Sequence, residues 1–448
     1  MYGSNAFICS QIIVKNPILQ ENEDMKKNYF YFLSRYFNMT KYSSAKYAIS
    51  QMKIYMMLLC RNNMLKHKSR NRILDNISQL EKYKYLLFFD LFAIWGYDKK
   101  IIRSKSMMQT AASLIRELSF DSEKKYVNNI IDAVCGNIKA WEQIKKYPVL
   151  SDFTDYVEHI QKNIEFISKK PVNIVITATM SAGKSTFINA LTGKNVTLSR
   201  NTACTSKIHN IVGKPYEDGF TCEYDHDIVM NAGHEELLND NELNKSGIIS
   251  VSTYYNGALS GKRIVLRDTP GVNSSENDAH KEITEKIIKS RKYKLVLYLL
   301  NATQLCTNDD VRHLEFVSKS IGKTPIIFIM NKVDAFENTD GDLTTVIEKQ
   351  QEYLKKIGFE APVICPVSSR IGYLCKKSAY AELSRMEMLE LSCGVSHFEE
   401  NSLAGYYEKN FPDITIENSE GEILRTLKNC GIAYAEKIIG KIANKKGE

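Results

Sequence analysis

Three short segments carry side chains whose types and spacing suit one task, holding a purine nucleotide by its phosphates and its base. The first is Ala178-Thr179-Met180-Ser181-Ala182-Gly183-Lys184-Ser185. Small residues let successive backbone N–H groups turn inward around a phosphate, and a helix starting near Lys184 adds the positive end of its dipole. Lys184 would reach the β- and γ-phosphates, and the Ser185 hydroxyl would ligate Mg2+. Alanine stands at 178, where such loops usually open with glycine. The second segment is Asp268-Thr269-Pro270-Gly271. A carboxylate there can hold Mg2+ through water, and the Gly271 N–H can sense the γ-phosphate. The third is Asn331-Lys332-Val333-Asp334. Its carboxylate can accept two hydrogen bonds, from guanine N1–H and the exocyclic amine. Adenine lacks that donor pair and would leave the carboxylate unpaired. Asn331 would contact the base edge and tie this loop to the phosphate loop, while the Lys332 stem covers the purine face. Each segment also has a plain reading as a capping or Gly/Pro turn. Their order along the chain, each after an apolar run, favours the nucleotide.

Two weaker signals accompany them. Val363-Ile-Cys-Pro-Val-Ser368-Ser369-Arg370 is similar to the short Ser-Ala-Lys loop that supports a base, with a serine-rich turn as its rival. Leu198–Ile208 should hold a switch threonine that closes over Mg2+ and positions water. Thr205 is the choice and Thr202 the rival. Arg200 could neutralise developing charge, or be a surface arginine.

These loops need elements to hold them. Apolar, strand-like runs occur at Val172–Thr177, Ile264–Asp268, Leu295–Leu300, Pro325–Met330 and Val363–Val367. Helical patterns near 184–193, 278–290, 308–321 and 342–357 separate several of them. This alternation predicts an α/β fold with a mostly parallel sheet and helices on both faces. Ligands in such folds sit at the C-terminal ends of strands, where every motif above falls. Residues 1–25 read as a flexible start. From 26 to 170 helical periodicity dominates, over 26–37, 43–65, 72–96, 105–118, 123–147 and 152–169, so an all-α region precedes the α/β domain of 171–415. Ser151-Asp152 could cap the last of these helices. A helix over 416–448 closes the chain, placing Leu424, Leu427, Gly431, Tyr434, Ala435, Ile438 and Ile442 on one face.

Composition narrows the classes. Apolar residues make up 44%, enough for a sizeable core and against global disorder. Net charge is +8, unevenly spread. Residues 1–170 hold 27 Lys and Arg against 16 Asp and Glu, leaving 33 against 36 in the rest. Within 41–70 lie Lys41, Lys46, Lys53, Arg61, Lys66, Lys68 and Arg70 with no acid. That patch could meet nucleic acid or anionic lipid, or be a solvated helix face. The Met- and aromatic-rich 43–65 stretch reads as an amphipathic membrane-touching helix or, more commonly, as core packing. Ten cysteines with no Cys-x-x-Cys pair argue against a zinc site or a disulfide framework and fit a reducing cytosol. The start lacks a signal-peptide layout, and no uncharged apolar run reaches membrane-span length. The nearest, Leu86–Trp95, is interrupted by Asp90 and reads as a buried helix.

Thr179–Leu191, Thr205, Asp268-Thr-Pro-Gly271, Leu295–Asn301 and Asn331-Lys-Val-Asp334 together resemble the bacterial dynamin-like large GTPases. The resemblance covers about 172–445. The long interval from Thr205 to Asp268, with extra strands expected at Gly219–Tyr224 and Ile248–Tyr255, supports it, as do helices flanking the G domain. It implies hydrolysis of GTP to GDP and phosphate with Mg2+, and G domains that pair across the nucleotide. It also implies that helices 152–169 and 422–443 pack together and transmit nucleotide state. The implied nucleotide contacts are Met180, Ser181, Ala182, Gly183, Lys184, Ser185, Thr186, Asp268, Gly271, Asn331, Lys332, Asp334, Ser368 and Ser369. Catalysis would rest on Ser181, Lys184, Thr205 and Gly271, and Mg2+ on Ser185, Thr205 and Asp268. Ser181 would also help hold a monovalent cation, K+ or Na+, in place of an arginine finger. Met180 departs from the glutamine that orders water in many eukaryotic dynamins, so slow turnover is expected. The glycines that shape the cation site are not evident in 200–204. Family members that remodel membranes usually continue into a long helical stalk and a lipid-binding tip; neither is evident after 422–443, unless the N-terminal helices supply them or the sequence is a fragment. Besides GTP, GDP and a second copy of the chain, an anionic membrane surface and a partner protein are candidate partners. The expected location is the cytoplasm, with peripheral membrane association. A slow GTP switch or scaffold is the alternative function. An Era-like ribosome-assembly GTPase is one form of it, for which 41–70 lacks the aromatic pattern of RNA binding.

Overall fold

The computed structural model describes residues 15–41, 43, 46–60, 80, 82–117, 124–197, 208–224, 228–233, 248–272, 278–336, 342–417 and 421–444. The chain forms two compact units, Met1–Lys169 and Lys170–Glu448.

The first unit is helical. Its helices are α1 (Glu23–Met39), α2 (Lys46–Leu59), α3 (Lys84–Ile94), α4 (Lys99–Ile102), α5 (Lys105–Glu117), α6 (Lys124–Val134), α7 (Ile138–Ile144) and α8 (Thr154–Ser168). α3 is apolar all round, and every residue of it is buried, including Asp90. An isolated carboxylate in such a place is costly. Here four donors converge on it: Asn16 Nδ2 at 2.6 Å, Tyr156 OH at 2.6 Å, Tyr55 OH at 2.9 Å, and Tyr29 OH. Burial pushes the Asp90 carboxyl up, and these hydrogen bonds oppose the shift.

Three local expectations change. The start is not loose throughout: Asn16 is buried against Asp90 and caps a 3-10 turn at Pro17–Gln20, whose Ile18 is also buried. The helix expected over 123–147 splits into α6 and α7, because Gly136 takes φ +100° and Asn137 caps the new start. Ser151-Asp152 is not the cap of α8. A 3-10 turn, Pro148–Phe153, leads straight into that helix, and Ser151 Oγ donates to Pro148 O instead. α2 packs one face into the helical unit, as the core reading expects. Ile54, Tyr55 and Leu59 are buried, while Ile49, Met56 and Met57 are exposed. Of the basic patch, Arg61, Lys66, Lys68 and Arg70 lie outside the described residues.

The second unit is built on one nine-stranded sheet. In chain order its elements are β1 (Val172–Ala178), α9 (Lys184–Thr192), β2 (Ile208–Gly213), β3 (Cys222–Tyr224), β4 (Ile228–Val229), β5 (Ile248–Thr253), β6 (Ile264–Asp268), α10 (Asp278–Ser290), β7 (Leu295–Asn301), α11 (Asn308–Ile321), β8 (Ile326–Asn331), α12 (Leu343–Ile357) and β9 (Val363–Val367). Five helices follow: α13 (Ser369–Lys377), α14 (Arg385–Glu400), α15 (Ala404–Asn410), α16 (Glu422–Asn429) and α17 (Ile432–Asn444). The strand order is β4-β3-β5-β2-β6-β1-β7-β8-β9. From β6 to β9 all pairs are parallel, and β2 joins β6 antiparallel. β6 and β7 flank β1 on opposite sides, so the chain switches direction across the sheet there. The end of β1 is therefore the crevice where a ligand fits. Continuous apolar runs such as Leu295–Leu300 are buried because parallel strands are covered on both faces.

The extra strands are shorter than the sequence suggests, β3 starting only at Cys222. Before it, Glu217 and Asp218 side chains accept from Gly219 N and Phe220 N and hold a turn. The terminal 422–443 helix is two helices, broken at Cys430-Gly431, where Gly431 takes φ +82°. The break leaves most of the expected stripe on the sheet domain, with Leu427 and Ile442 packed against its core. Leu424 is exposed, whereas Tyr434, Ala435, Ile438, Ile439 and Ala443 join the core of the sheet domain. Among the described residues no helix is long and apolar enough to cross a membrane.

Candidate nucleotide-binding site

The loop after β1 turns through two left-handed residues, Ser181 at φ +63° and Gly183 at φ +82°. Gly183 has a second reason to lack a side chain. A Cβ there would lie 2.3 Å from Asn331 Nδ2. α9 begins at Lys184 with no side-chain cap, so its leading N–H groups stay available to an anion.

Lys184 Nζ lies 2.7 Å from Asp268 Oδ1, with both side chains buried. The contact is a close charge pair set off the line of a hydrogen bond. Neither Asp268 oxygen accepts an aligned hydrogen bond among the described residues. The turn carrying Asp268 is pinned to β1 by Thr269, whose Oγ1 and N reach Ile176 O at 2.9 and 3.3 Å. Val272 N then bonds Ala178 O at 3.2 Å. Gly271 is thereby brought against Met180, whose Cα would be 3.6 Å from a Cβ at 271. Ser185 and Asp268 offer the hard oxygen donors that suit Mg2+, and a buried carboxylate whose oxygens accept no aligned hydrogen bond among the described residues fits a cation. Thr205, Thr202 and Arg200 lie outside the described residues.

Asn331, at the end of β8, joins the two sides of the site. Its Nδ2 donates to Ala182 O at 2.9 Å, and its Oδ1 accepts from Ser369 N at 3.1 Å. Its carbonyl accepts from Ala302 N at 2.9 Å. Lys332 follows in the left-handed region at φ +65° and leads into a 3-10 turn at Val333–Ala335. Ser368 Oγ accepts from Ile371 N and caps α13. Asp334 Oδ1 and Ser369 Oγ are buried and make no hydrogen bond among the described residues, so both remain for a ligand.

Several positioning residues escaped the sequence reading. Asn189, on α9, accepts from Val196 N and Thr197 N at 3.0 Å and donates to Thr197 O at 3.1 Å. Thr197 Oγ1 donates toward Ser185 O at 3.0 Å. Together they fasten the chain leaving α9 to the phosphate helix. The sequence hint was an amide within the apolar run Phe187–Leu191 of α9. Beneath the loop, Thr177 Oγ1 meets His313 Nε2 at 2.8 Å, and Tyr298 OH donates to Asp310 Oδ1 at 2.7 Å. Burial lowers the His313 imidazole from 6.5 to about 4 and raises the Asp310 carboxyl from 3.8 to about 6. At the far end of α9, Lys376 donates to Leu191 O and Asn256 O and pairs with buried Glu436 of α17.

Residues 174–333 match the model of the Dynamin family. Dynamin-like protein A of Bacillus subtilis is 23% identical over 319 residues, covering 55% of this chain and 27% of that protein. A bacterial dynamin-like protein of Nostoc punctiforme is 24% identical over 248 residues, covering 50% of this chain and 35% of that one. The chain thus spans about a third or less of the length of these relatives. Among solved structures, a variant of Aquifex aeolicus Era bound to GDP·AlF4− aligns at 19% identity over 48% of this chain and 59% of its own, with a TM-score of 0.28. The family match contains the phosphate loop, Asp268-Thr-Pro-Gly271 and Asn331, and this chain carries a dynamin-type G domain.

Proposed function

We propose that this protein binds GTP with Mg2+ and hydrolyses it to GDP and phosphate as a dynamin-like GTPase. One observation carries the reading. Asn331 links the phosphate loop through Ala182 O to the Ser369 loop, beside two buried and unengaged acceptors, Asp334 Oδ1 and Ser369 Oγ. A phosphate cradle and a base pocket are thus one structure. Lys184 would exchange its contact with Asp268 for the β- and γ-phosphates. Met180, Ser181, Ala182, Gly183 and Thr186 would line the phosphate chain. Ser185 and Asp268, joined by Thr205, would hold Mg2+, which supplies charge neutralisation on the phosphates. Gly271 N–H would meet the γ-phosphate, and Ser181 would share a K+ or Na+ ion. Asp334 and Ser369 would read the guanine edge, with the Lys332 stem over its face and Ser368 fixing the loop. Dimerisation through G domains, movement of the helical unit with nucleotide state, and peripheral attachment to an anionic membrane from the cytoplasm complete the reading.

Calorimetric titration with GDP, ADP and XDP tests the base assignment. Asp334→Asn replaces an acceptor with a donor and should shift preference from guanine to xanthine, whose 2-oxo group accepts. Equal GDP affinity in wild type and variant would refute the role of Asp334.

A second reading is a slow switch or scaffold with a protein or, less favoured, an RNA partner. Met180 favours it. This thioether, which cannot order water, sits where Gly271 approaches. Turnover that rises steeply with protein concentration supports dimer-activated catalysis, and flat, very slow turnover supports the switch.

A further inference from the structure

The joint between α16 and α17 touches the base side of the site through backbone groups. Ser368 N donates to Cys430 O at 3.0 Å. The next residue, Ser369, donates through its N to Asn331 Oδ1, and its buried Oγ makes no hydrogen bond among the described residues. Gly431 packs against the strand that delivers this loop. A Cβ at 431 would lie 2.3 Å from Pro366 O, 3.1 Å from the Tyr407 ring and 3.2 Å from Leu403. Pro366 O already accepts from Tyr407 OH at 2.7 Å, so it has little room to give. The joint itself is held from behind. Asn429 O accepts from Leu403 N, its Oδ1 accepts from Ser402 Oγ, and its Nδ2 donates to Phe398 O. The bonded path therefore runs from Asn429 through Cys430 to Ser368 and Ser369, on to Asn331, and ends at the phosphate loop.

From this path we infer that the 429–431 joint is a positioning element for guanine recognition. It sets the place of Ser368-Ser369, and through it the precision with which the pocket reads a base, without touching the nucleotide. The inference rests on the guanine-site reading above. Its physical basis is geometric. A base pocket discriminates by hydrogen bonds held to within a few tenths of an ångström, and a loop hung from a backbone carbonyl is only as fixed as that carbonyl. Gly431 is required because an L-residue at φ +82° is strained and its Cβ would push on Pro366 O. Substitution there displaces the strand end or the joint, and either shift moves Ser368.

The test compares GDP with IDP. Inosine lacks the exocyclic amine and so gives up one of the two hydrogen bonds assigned to Asp334. The ratio of the two affinities measures how well the base is read, and a general loss of stability lowers both affinities alike. Dissociation constants are measured by calorimetry for the full chain and three variants, with far-UV circular dichroism as the folding check. Gly431→Ala is expected to weaken GDP by about ten-fold and to shrink the GDP/IDP ratio toward one. Asn429→Ala loosens the joint without a clash and should shrink the ratio by roughly three-fold. Gly405→Ala, on α15 with open space at its Cβ, should change neither. A folded Gly431→Ala with the wild-type ratio would overturn the proposal. Where that variant does not fold, Asn429→Ala decides by the same criterion. A wild type that prefers ADP to GDP would instead overturn the guanine reading, and the positioning role with it.

Discussion

Glu436 and Lys376 form an ion pair with side chains 2% and 6% exposed, and removing one partner should cost far more than removing both. Glu436→Leu strands a buried ammonium. Losing one member of a buried pair costs roughly 3–5 kcal/mol. Lys376→Met strands a buried carboxylate at a similar cost. In the double variant neither member of the pair remains, and the half-buried Lys262, which also interacts with Glu436, keeps its own charge. Among the described residues three backbone groups lose partners: Leu191 O, Asn256 O and Ala258 N. At about 1 kcal/mol each the double variant loses roughly 3 kcal/mol. The singles sum to roughly 6–10 kcal/mol, so the coupling energy should exceed about 3 kcal/mol. The assay is a double-mutant cycle in urea, read by hydrogen–deuterium exchange of peptides from 170–444. Intrinsic fluorescence does not serve, because both tryptophans, Trp95 and Trp141, lie in the helical unit. Single-variant losses that add up in the double variant would refute the reasoning, since they would show that the two charges are solvated independently.

Two neighbours on α11 predict an unusual pH response. Between pH 3.8 and about 6, folded Asp310 keeps a proton that the unfolded chain releases, so its contribution to stability is lost as pH rises. Between pH 6.5 and about 4, folded His313 refuses a proton that the unfolded chain accepts, so its contribution is lost as pH falls. Each amounts to roughly 3 kcal/mol and the two nearly cancel. Thermal melts of Asp310→Asn should then show stability rising from pH 4 to 6.5, and a slope equal to wild type would sink the assignment. In the helical unit, Asp90→Ala leaves three tyrosine hydroxyls and the Asn16 amide facing a cavity. It should destabilise that unit by roughly 3 kcal/mol or more, seen as an earlier urea midpoint in tryptophan fluorescence; a midpoint unchanged from wild type would show the hub to be dispensable.

What could be seen in the sequence divides along a physical line. The gathering of Lys184, Asp268, Asn331 and Asp334 at neighbouring strand ends was legible because each falls at a fixed short spacing after an apolar strand. The parallel half of the sheet was legible because strands such as Leu295–Leu300 are buried on both faces. Asp90 was visible as a charge in an apolar run, but its partners were not. Asn16 and Tyr156 lie 74 and 66 residues away and are brought in by helix packing, which has no local signature. The Lys376–Glu436 pair, 60 residues apart, was hidden for the same reason. Cys430 O was invisible in principle, since every residue has a carbonyl. The break at Gly431 could have been suspected from glycine in a helical stripe, but its cause is a neighbouring strand.

The placement of α16 and α17 bears on where this G domain ends as an autonomous folding unit. A polypeptide covering 171–415 would keep every motif of the candidate site, yet Ser368 N would lose its acceptor and Lys376 its buried partner Glu436. Tyr434, Ala435, Ile438 and Ile439 would leave open core behind them. Motif boundaries and cooperative boundaries therefore differ. A piece that keeps these contacts runs through the last helix, to residue 444.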